Sequence, residues 1–184
     1  MDIASGSLKG VFLDRDGVLN DLVDRGEDYR IDGQLFRWTA PFTLAELKIK
    51  LDAASAIAIM IGKGYVPVIV TNQPDVSGGR IDPVEFGRMM KIFRMLPFAG
   101  IYFCAHRPAT GCACRKPAPG MLLAAARRHH LDLSRSYMVG DSESDIGAGR
   151  AAGTRTILVS SLSVVVTRAD YVLSDIMEVA RLLP

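Results

Sequence analysis

Four polar clusters in this chain have the residue types and spacing to do chemistry: Asp14-Arg15-Asp16-Gly17, Thr71-Asn72-Gln73, the run from Cys104 to Lys116, and Gly140-Asp141 with Asp145 four residues on. An Asp-x-Asp allows a division of labour. One carboxylate can attack phosphorus and form an aspartyl-phosphate. The second, two residues on, can protonate the leaving oxygen and later take a proton from water. Bringing Asp141 beside this pair concentrates negative charge, and hard oxygen ligands of this kind suit Mg²⁺, which binds through one or two carboxylates plus a phosphate. A lone Asp-x-Asp-Gly fits a solvated helix-capping turn equally well. A calcium loop of the EF-hand type does not fit: counting from Asp14, the sixth position is Leu19 instead of glycine and the twelfth is Arg25 instead of glutamate.

Phosphoryl transfer is catalysed mainly by positioning and by cations around the phosphate oxygens. Thr71 and Asn72 supply a hydroxyl and adjacent donors, and Arg115-Lys116 stands directly before a proline-started helix. Arginine presents a planar fork and lysine a compact charge to such oxygens. All three cysteines lie in the same region. Cys104-x-His106 followed by Cys112-x-Cys114 offers three sulfurs and one nitrogen, a closed tetrahedral set for structural Zn²⁺. A redox pair at Cys112 and Cys114, or chance clustering, are the alternatives to that ligand set. Residues 105–113 have no apolar core to hold them, so a metal clamp there would supply folding energy and fix the adjacent Arg115 and Lys116.

The elements needed to gather these clusters are visible as alternating patterns. Apolar, β-branched runs at 10–14, 65–71, 100–104, 136–140 and 154–159 predict strands, with a further edge strand near 169–173. Helical stretches are expected at 43–64, 82–96, 117–131, 144–153 and 174–183, the second with Asp82 as its N-cap. Residues 21–41 read as a long polar loop containing Trp38, as either a hydrophobic anchor or a wall of a binding pocket. Met89, Met90, Phe93, Met95 and Leu96 are spaced as a core face, and His129 and His130 as a solvated helix end. Strands alternating with helices imply a parallel sheet covered on both faces. Ligands in such folds collect outside the carboxyl ends of the strands, and each of the four clusters directly follows a strand.

The 184 residues, 49% apolar and 23% charged with a formal charge of +2, suit one soluble domain. That charge balance gives no reason to expect a nucleic-acid or membrane-surface partner. No apolar run reaches bilayer length, and the leading residues MDIASGSLKG lack a secretory signal core. A cytosolic location is therefore expected, where thiols stay reduced. The oligomeric state is not readable from the sequence, and a monomer is the simplest expectation.

Taken in order, FLDRDGVLN, VTNQ, CRKPAPGML and MVGDSESDI resemble the four motifs of the haloacid dehalogenase superfamily of phosphatases. Within it, the chain is similar to the branch acting on heptose bisphosphates and to the related histidinol-phosphate phosphatases. The resemblance runs from about residue 10 to 175. It implies a single domain over 1–184 with a Rossmann-like three-layer α/β sandwich, sheet order 5-4-1-2-3, no large cap domain and a small zinc-bound loop. It implies Asp14 as nucleophile and Asp16 as general acid and base, with Thr71 and Lys116 steadying the phosphoryl group. It implies Mg²⁺ held by the Asp14 carboxylate, the Asp16 main-chain carbonyl and Asp141, with Asp145 in support. Asn72, Gln73, Arg115 and Lys116 are the expected substrate contacts. Zn²⁺ on Cys104, His106, Cys112 and Cys114 is implied as structural. The expected partner is a small phosphorylated sugar, with histidinol phosphate or another metabolite as alternative and a non-catalytic binding module as the remaining one. The chain departs from the heptose pattern at Pro74-Asp75 and at Ser142.

Overall fold

The computed structural model describes residues 8–162 and 165–184. Residues 1–7, which carry most of the leading segment read above, lie outside that range. Six strands form one sheet: β1 (Leu8–Leu13), β2 (Tyr65–Asn72), β3 (Gly100–Cys104), β4 (Leu131–Gly140), β5 (Arg155–Val159) and β6 (Tyr171–Leu173). Their order is β6-β5-β4-β1-β2-β3, with every pair parallel. The expected 5-4-1-2-3 order is borne out, with Tyr171–Leu173 added at one edge.

Five helices cover the sheet: α1 (Ala53–Gly62), α2 (Pro83–Arg94), α3 (Gly120–His129), α4 (Glu143–Ala152) and α5 (Ile176–Leu182). The side-chain period of two along β1 separates the layers. Val11 and Leu13 join Ile57, Met60, Met89, Phe93 and Val179 in one core, under α1, α2 and α5. Phe12 points the other way and packs with Val70, Leu122, Ala125, Met138 and Ala148, under α3 and α4. Asp82 caps α2 as expected, accepting from Val84 N at 2.8 Å and Glu85 N at 3.2 Å.

Four expectations change in detail. The helix expected over 43–64 is confined to α1, preceded by a single 3₁₀ turn at Leu44–Glu46. The intervening stretch is extended because its backbone pairs with the chain after β1: Asp21 N donates to Lys48 O and Lys50 N to Leu19 O, both at 2.9 Å. The polar stretch 21–41 is no irregular loop but a flap of two antiparallel pairings, Val23–Asp24 with Trp38–Thr39 and Arg30–Ile31 with Gln34–Leu35. Met89, Met90 and Phe93 are core, but Met95 lies past the end of α2 and is exposed. His129 is not fully solvated: its Nε2 lies 3.2 Å from the Tyr102 hydroxyl, and burial pushes its pKa down.

Candidate active site

Parallel pairing brings the ends of β1, β2 and β4 side by side, and the residue after each becomes a neighbour of the others. Asp14 N donates to Val139 O at 2.9 Å, which fixes the start of the Asp14–Gly17 turn against β4. Gly17 has φ +80°, and a Cβ there would stand 2.0 Å from the Asp141 carboxylate, so only glycine lets the two strand ends approach.

Lys116 is buried between these ends and uses all three of its donors. Its Nζ lies 2.9 Å from Val70 O, 3.0 Å from Asp14 Oδ1 and 2.5 Å from Asp145 Oδ1. Burial works against its charge, but Asp14 and Asp145 outweigh that and hold its pKa above the ordinary range. Asp14 Oδ1 also accepts from Arg15 N at 2.7 Å, leaving Oδ2 without a protein donor among the described residues. Burial pushes the Asp14 carboxyl up to about 6 against the pull of Lys116. Asp141 rises to about 7, from burial first and then from the charges of Asp14 and Asp145.

Carboxylate oxygens of Asp14, Asp141 and Asp145 all lie within 4.8 Å of one another. Three carboxylates against one ammonium leave two surplus negative charges when all are ionised. A divalent, oxygen-seeking cation fits that deficit.

Asp16 points into a different environment. Arg15, fully buried, grips its carboxylate at 2.9 Å and 2.8 Å. Gln73 Nε2 donates to it at 2.7 Å and Asn20 Nδ2 at 3.0 Å. The Arg15 guanidinium lies 5.9 Å from the rings of both Phe86 and Phe93. Gln73, expected at the substrate, is buried and spends its amide on Asp16, Thr71 Oγ1 and Arg15. Asn72 lines the cavity, and its side chain brackets the Lys116 main chain, accepting from N at 3.0 Å and donating to O at 3.1 Å. Arg115 also lines the cavity, with Nη1 buried and unpartnered.

That cavity, of about 430 Å³, opens above Asp14 and Asp16 and is roofed by flap residues from Ile31 to Ala40. Trp38 is one of its walls, not a core anchor. Pro108, from the loop between Cys104 and Cys114, closes another side. In that loop the Sγ atoms of Cys104, Cys112 and Cys114 lie 3.3 to 3.5 Å apart, and His106 Nδ1 lies 3.2 and 3.4 Å from two of them. A tetrahedral ion with Zn–S of about 2.3 Å has sulfur–sulfur edges of about 3.8 Å, so the four groups are gathered closely enough to share one. Burial opposes ionisation of Cys112, but hydrogen bonding with its fellow thiols outweighs it and lowers its pKa to about 6. Burial and the same neighbours raise Cys114 to about 12. One thiolate is thus already favoured within the cluster.

The chain is similar to known phosphatases over most of its length. A family model described as HAD-hydrolase-like matches residues 113–178. The D-glycero-beta-D-manno-heptose-1,7-bisphosphate 7-phosphatase of Helicobacter pylori strain 26695 is 35% identical, the match covering 82% of this chain and 83% of that protein. The Escherichia coli K12 protein of the same name is 32% identical, over 92% and 91% of the two chains. The chain belongs to this family of HAD-like phosphatases. The crystal structure of a D,D-heptose 1.7-bisphosphate phosphatase from B. bronchiseptica, complexed with magnesium and phosphate, superposes with a TM-score of 0.74 at 28% identity, covering 95% and 97% of the two chains.

In this phosphatase three residues beyond those assigned from the sequence help to build the site. Arg15 and Asn20 hold the Asp16 carboxylate, and both are fully buried. Arg15 stands between the two aspartates and Asn20 ends the short apolar pair Val18-Leu19, and those positions are the only signal the sequence offers for them. Ser142, a departure from the family pattern, caps α4: its N and Oγ donate to Asp145 Oδ2 at 3.1 and 2.6 Å, so Asp145 is fixed by its own helix before it meets Lys116. Among the described residues no helix is long and apolar enough to cross a membrane.

Proposed function

We propose that this phosphatase removes one phosphate from D-glycero-D-manno-heptose 1,7-bisphosphate, in the synthesis of a nucleotide-activated heptose. The observation that carries the chemistry is the Asp14–Lys116–Asp145 chain beside Asp141: a carboxylate with one oxygen free of donors, held by a buried cation at the mouth of a 430 Å³ cavity. The names of the relatives support the heptose.

Asp14 attacks phosphorus and becomes the aspartyl-phosphate, while the P–O bond to the sugar breaks. Asp16 turns out of the grip of Arg15, Asn20 and Gln73 to give a proton to the departing oxygen, then takes one from the water that cleaves the acyl-phosphate and restores Asp14. Lys116 and the Thr71 hydroxyl position the transferring group, and Arg115 offers its unpartnered nitrogen to the rest of the substrate. Asp14, Asp141 and the Asp16 carbonyl would hold Mg²⁺, which would supply charge neutralisation at the phosphoryl oxygens. Cys104, His106, Cys112 and Cys114 would hold Zn²⁺, which would fix the loop that leads into Arg115 and Lys116. We take the reaction to be cytosolic, a compartment in which the three thiols would stay reduced.

Phosphate release with Mg²⁺ tests this across both anomers of the bisphosphate, heptose 1-phosphate, heptose 7-phosphate and histidinol phosphate. The expected result is one phosphate from one bisphosphate anomer and little from the rest. A preference for histidinol phosphate overturns the heptose assignment and leaves the chemistry standing.

A further inference from the structure

Trp38 is the single tryptophan of the chain, and about half of it (51%) is exposed. Its position is set by backbone and by polar clamps instead of by packing. It pairs with Asp24 across the flap. Arg37 lies 5.4 Å from its ring and is tied back to Asp24 at 3.1 Å. The next residue, Thr39, is buried and accepts from Arg25 Nε at 2.9 Å, while Arg25 grips Glu46 at 2.6 and 2.8 Å. The indole N–H makes no hydrogen bond to the protein among the described residues. Leaving so much apolar ring in water has no structural return, because half of its area contributes nothing to a core.

The ring lines the same cavity as Asp14 and Asp16, and Phe36, also exposed, lines it from the same side. Elsewhere the lining is mixed, with Asn72, Asp75, Arg80 and Arg115 offering polar groups beside Pro74 and Pro108. A cavity that offers an aromatic surface at Trp38 and Phe36 together with several hydrogen-bonding side chains suits a ring that has an apolar C–H face and a rim of hydroxyls. The geometry points to Trp38 as a specificity-determining residue that stacks on the pyranose ring of the leaving group once its phosphate sits against Asp14. This rests on the reading of the substrate as a sugar phosphate and adds the group that reads the ring.

The single tryptophan is its own reporter. Heptose 1-phosphate is titrated into the wild-type protein and the bisphosphate into Asp14→Asn, with glycerol 3-phosphate and inorganic phosphate as ring-free controls, occupancy being followed by calorimetry. Saturable changes in tryptophan emission are expected with the two ring-bearing ligands and not with the controls. Trp38→Ala is expected to lower the ratio of kcat/KM for the bisphosphate over acetyl phosphate about tenfold, mostly through KM, with Trp38→Phe recovering most of it. Silent emission at full occupancy by the sugar, or equal losses on both substrates, overturns the proposal. If the heptose bisphosphate is the best substrate but Trp38 is silent, the stacking fails and the function stands. If another pyranose phosphate is cleaved best and perturbs Trp38, the heptose reading fails and the stacking stands.

Discussion

The floor and the roof of the cavity are built by different physics. The floor is four carboxylates, Lys116, Arg15, Gln73 and Asn20 at the ends of β1, β2 and β4, knit together by hydrogen bonds and ion pairs centred on Lys116 and Asp16. It stands on two apolar cores that hold its strands in register. The roof is the flap and the cysteine loop, largely exposed and with little apolar packing of its own. The flap is kept in place by Arg25 on Glu46 and Thr39, and in the loop Cys104, His106, Cys112 and Cys114 are drawn closely enough together to share a metal ion. The difference separates two tasks. Rigid, satisfied strand ends can hold reacting groups to a few tenths of an ångström, while a clamped roof can change its lining without disturbing them.

Substitutions at matching places in floor and roof test this division. Asp14→Asn should lower turnover by about a thousandfold or more, since an amide does not attack phosphorus. The fold should survive, because Lys116 keeps Asp145 and Val70 O; activity within tenfold of wild type would refute the nucleophile assignment. Arg15→Met should cost stability instead, by about 3–5 kcal/mol in denaturant unfolding, because Asp16 is left buried without its charge partner. If that variant unfolds like the wild type, Asp16 is not held as described.

In the roof, Cys112→Ser should reduce the zinc content of the purified protein and its melting temperature before it changes turnover. A variant that keeps both its metal and its melting point would remove the clamp from the comparison. The pH response should distinguish the floor again. Asp14 and Asp141 titrate at about 6 and about 7 in the fold, above their ordinary 3.8, so their ionisation opposes folding. For these two groups the metal-free protein should be most stable below about pH 4 and lose that advantage as pH rises through 6 and 7. Added Mg²⁺ should therefore raise the melting temperature at pH 8 and do little at pH 5; equal effects at both would argue against the carboxylate cluster as its site. The smallest effect is expected from Glu46→Gln. That pair is partly solvated, so melting should fall by at most about 2–4 °C while KM rises and kcat holds; a fall in kcat instead would tie the flap to the chemistry.

Legibility followed the same division. Asp14, Asp16, Thr71, Lys116 and Asp141 are legible in the sequence because they sit in short motifs at or after apolar strands that resemble those of a known superfamily, and the four zinc candidates because all the thiols cluster with a histidine within eleven residues. Gln73 was placed at the substrate because strand-end position cannot tell which way a side chain turns, and here it turns inward to Asp16. The roles of Arg15 and Asn20 are not legible in the sequence, because only the folded turn shows that both side chains turn back onto Asp16 and that Arg15 also meets Gln73 of another strand. The flap's short pairings carried too little β-branched pattern to be seen, and Lys48 and Lys50 sat in an apolar rhythm that suggested a helix.

The sequence by itself determined the alternation of strands and helices, the strand-end positions of the reacting groups and the clustering of the thiols, since these depend on local pattern and spacing. Only the tertiary structure decided that Lys116 bridges Asp14 and Asp145, that Arg15 serves Asp16, and that Trp38 faces the cavity. Those outcomes depend on distances between segments brought together by the sheet, and a charge or a ring acquires its role from whichever neighbour the fold delivers.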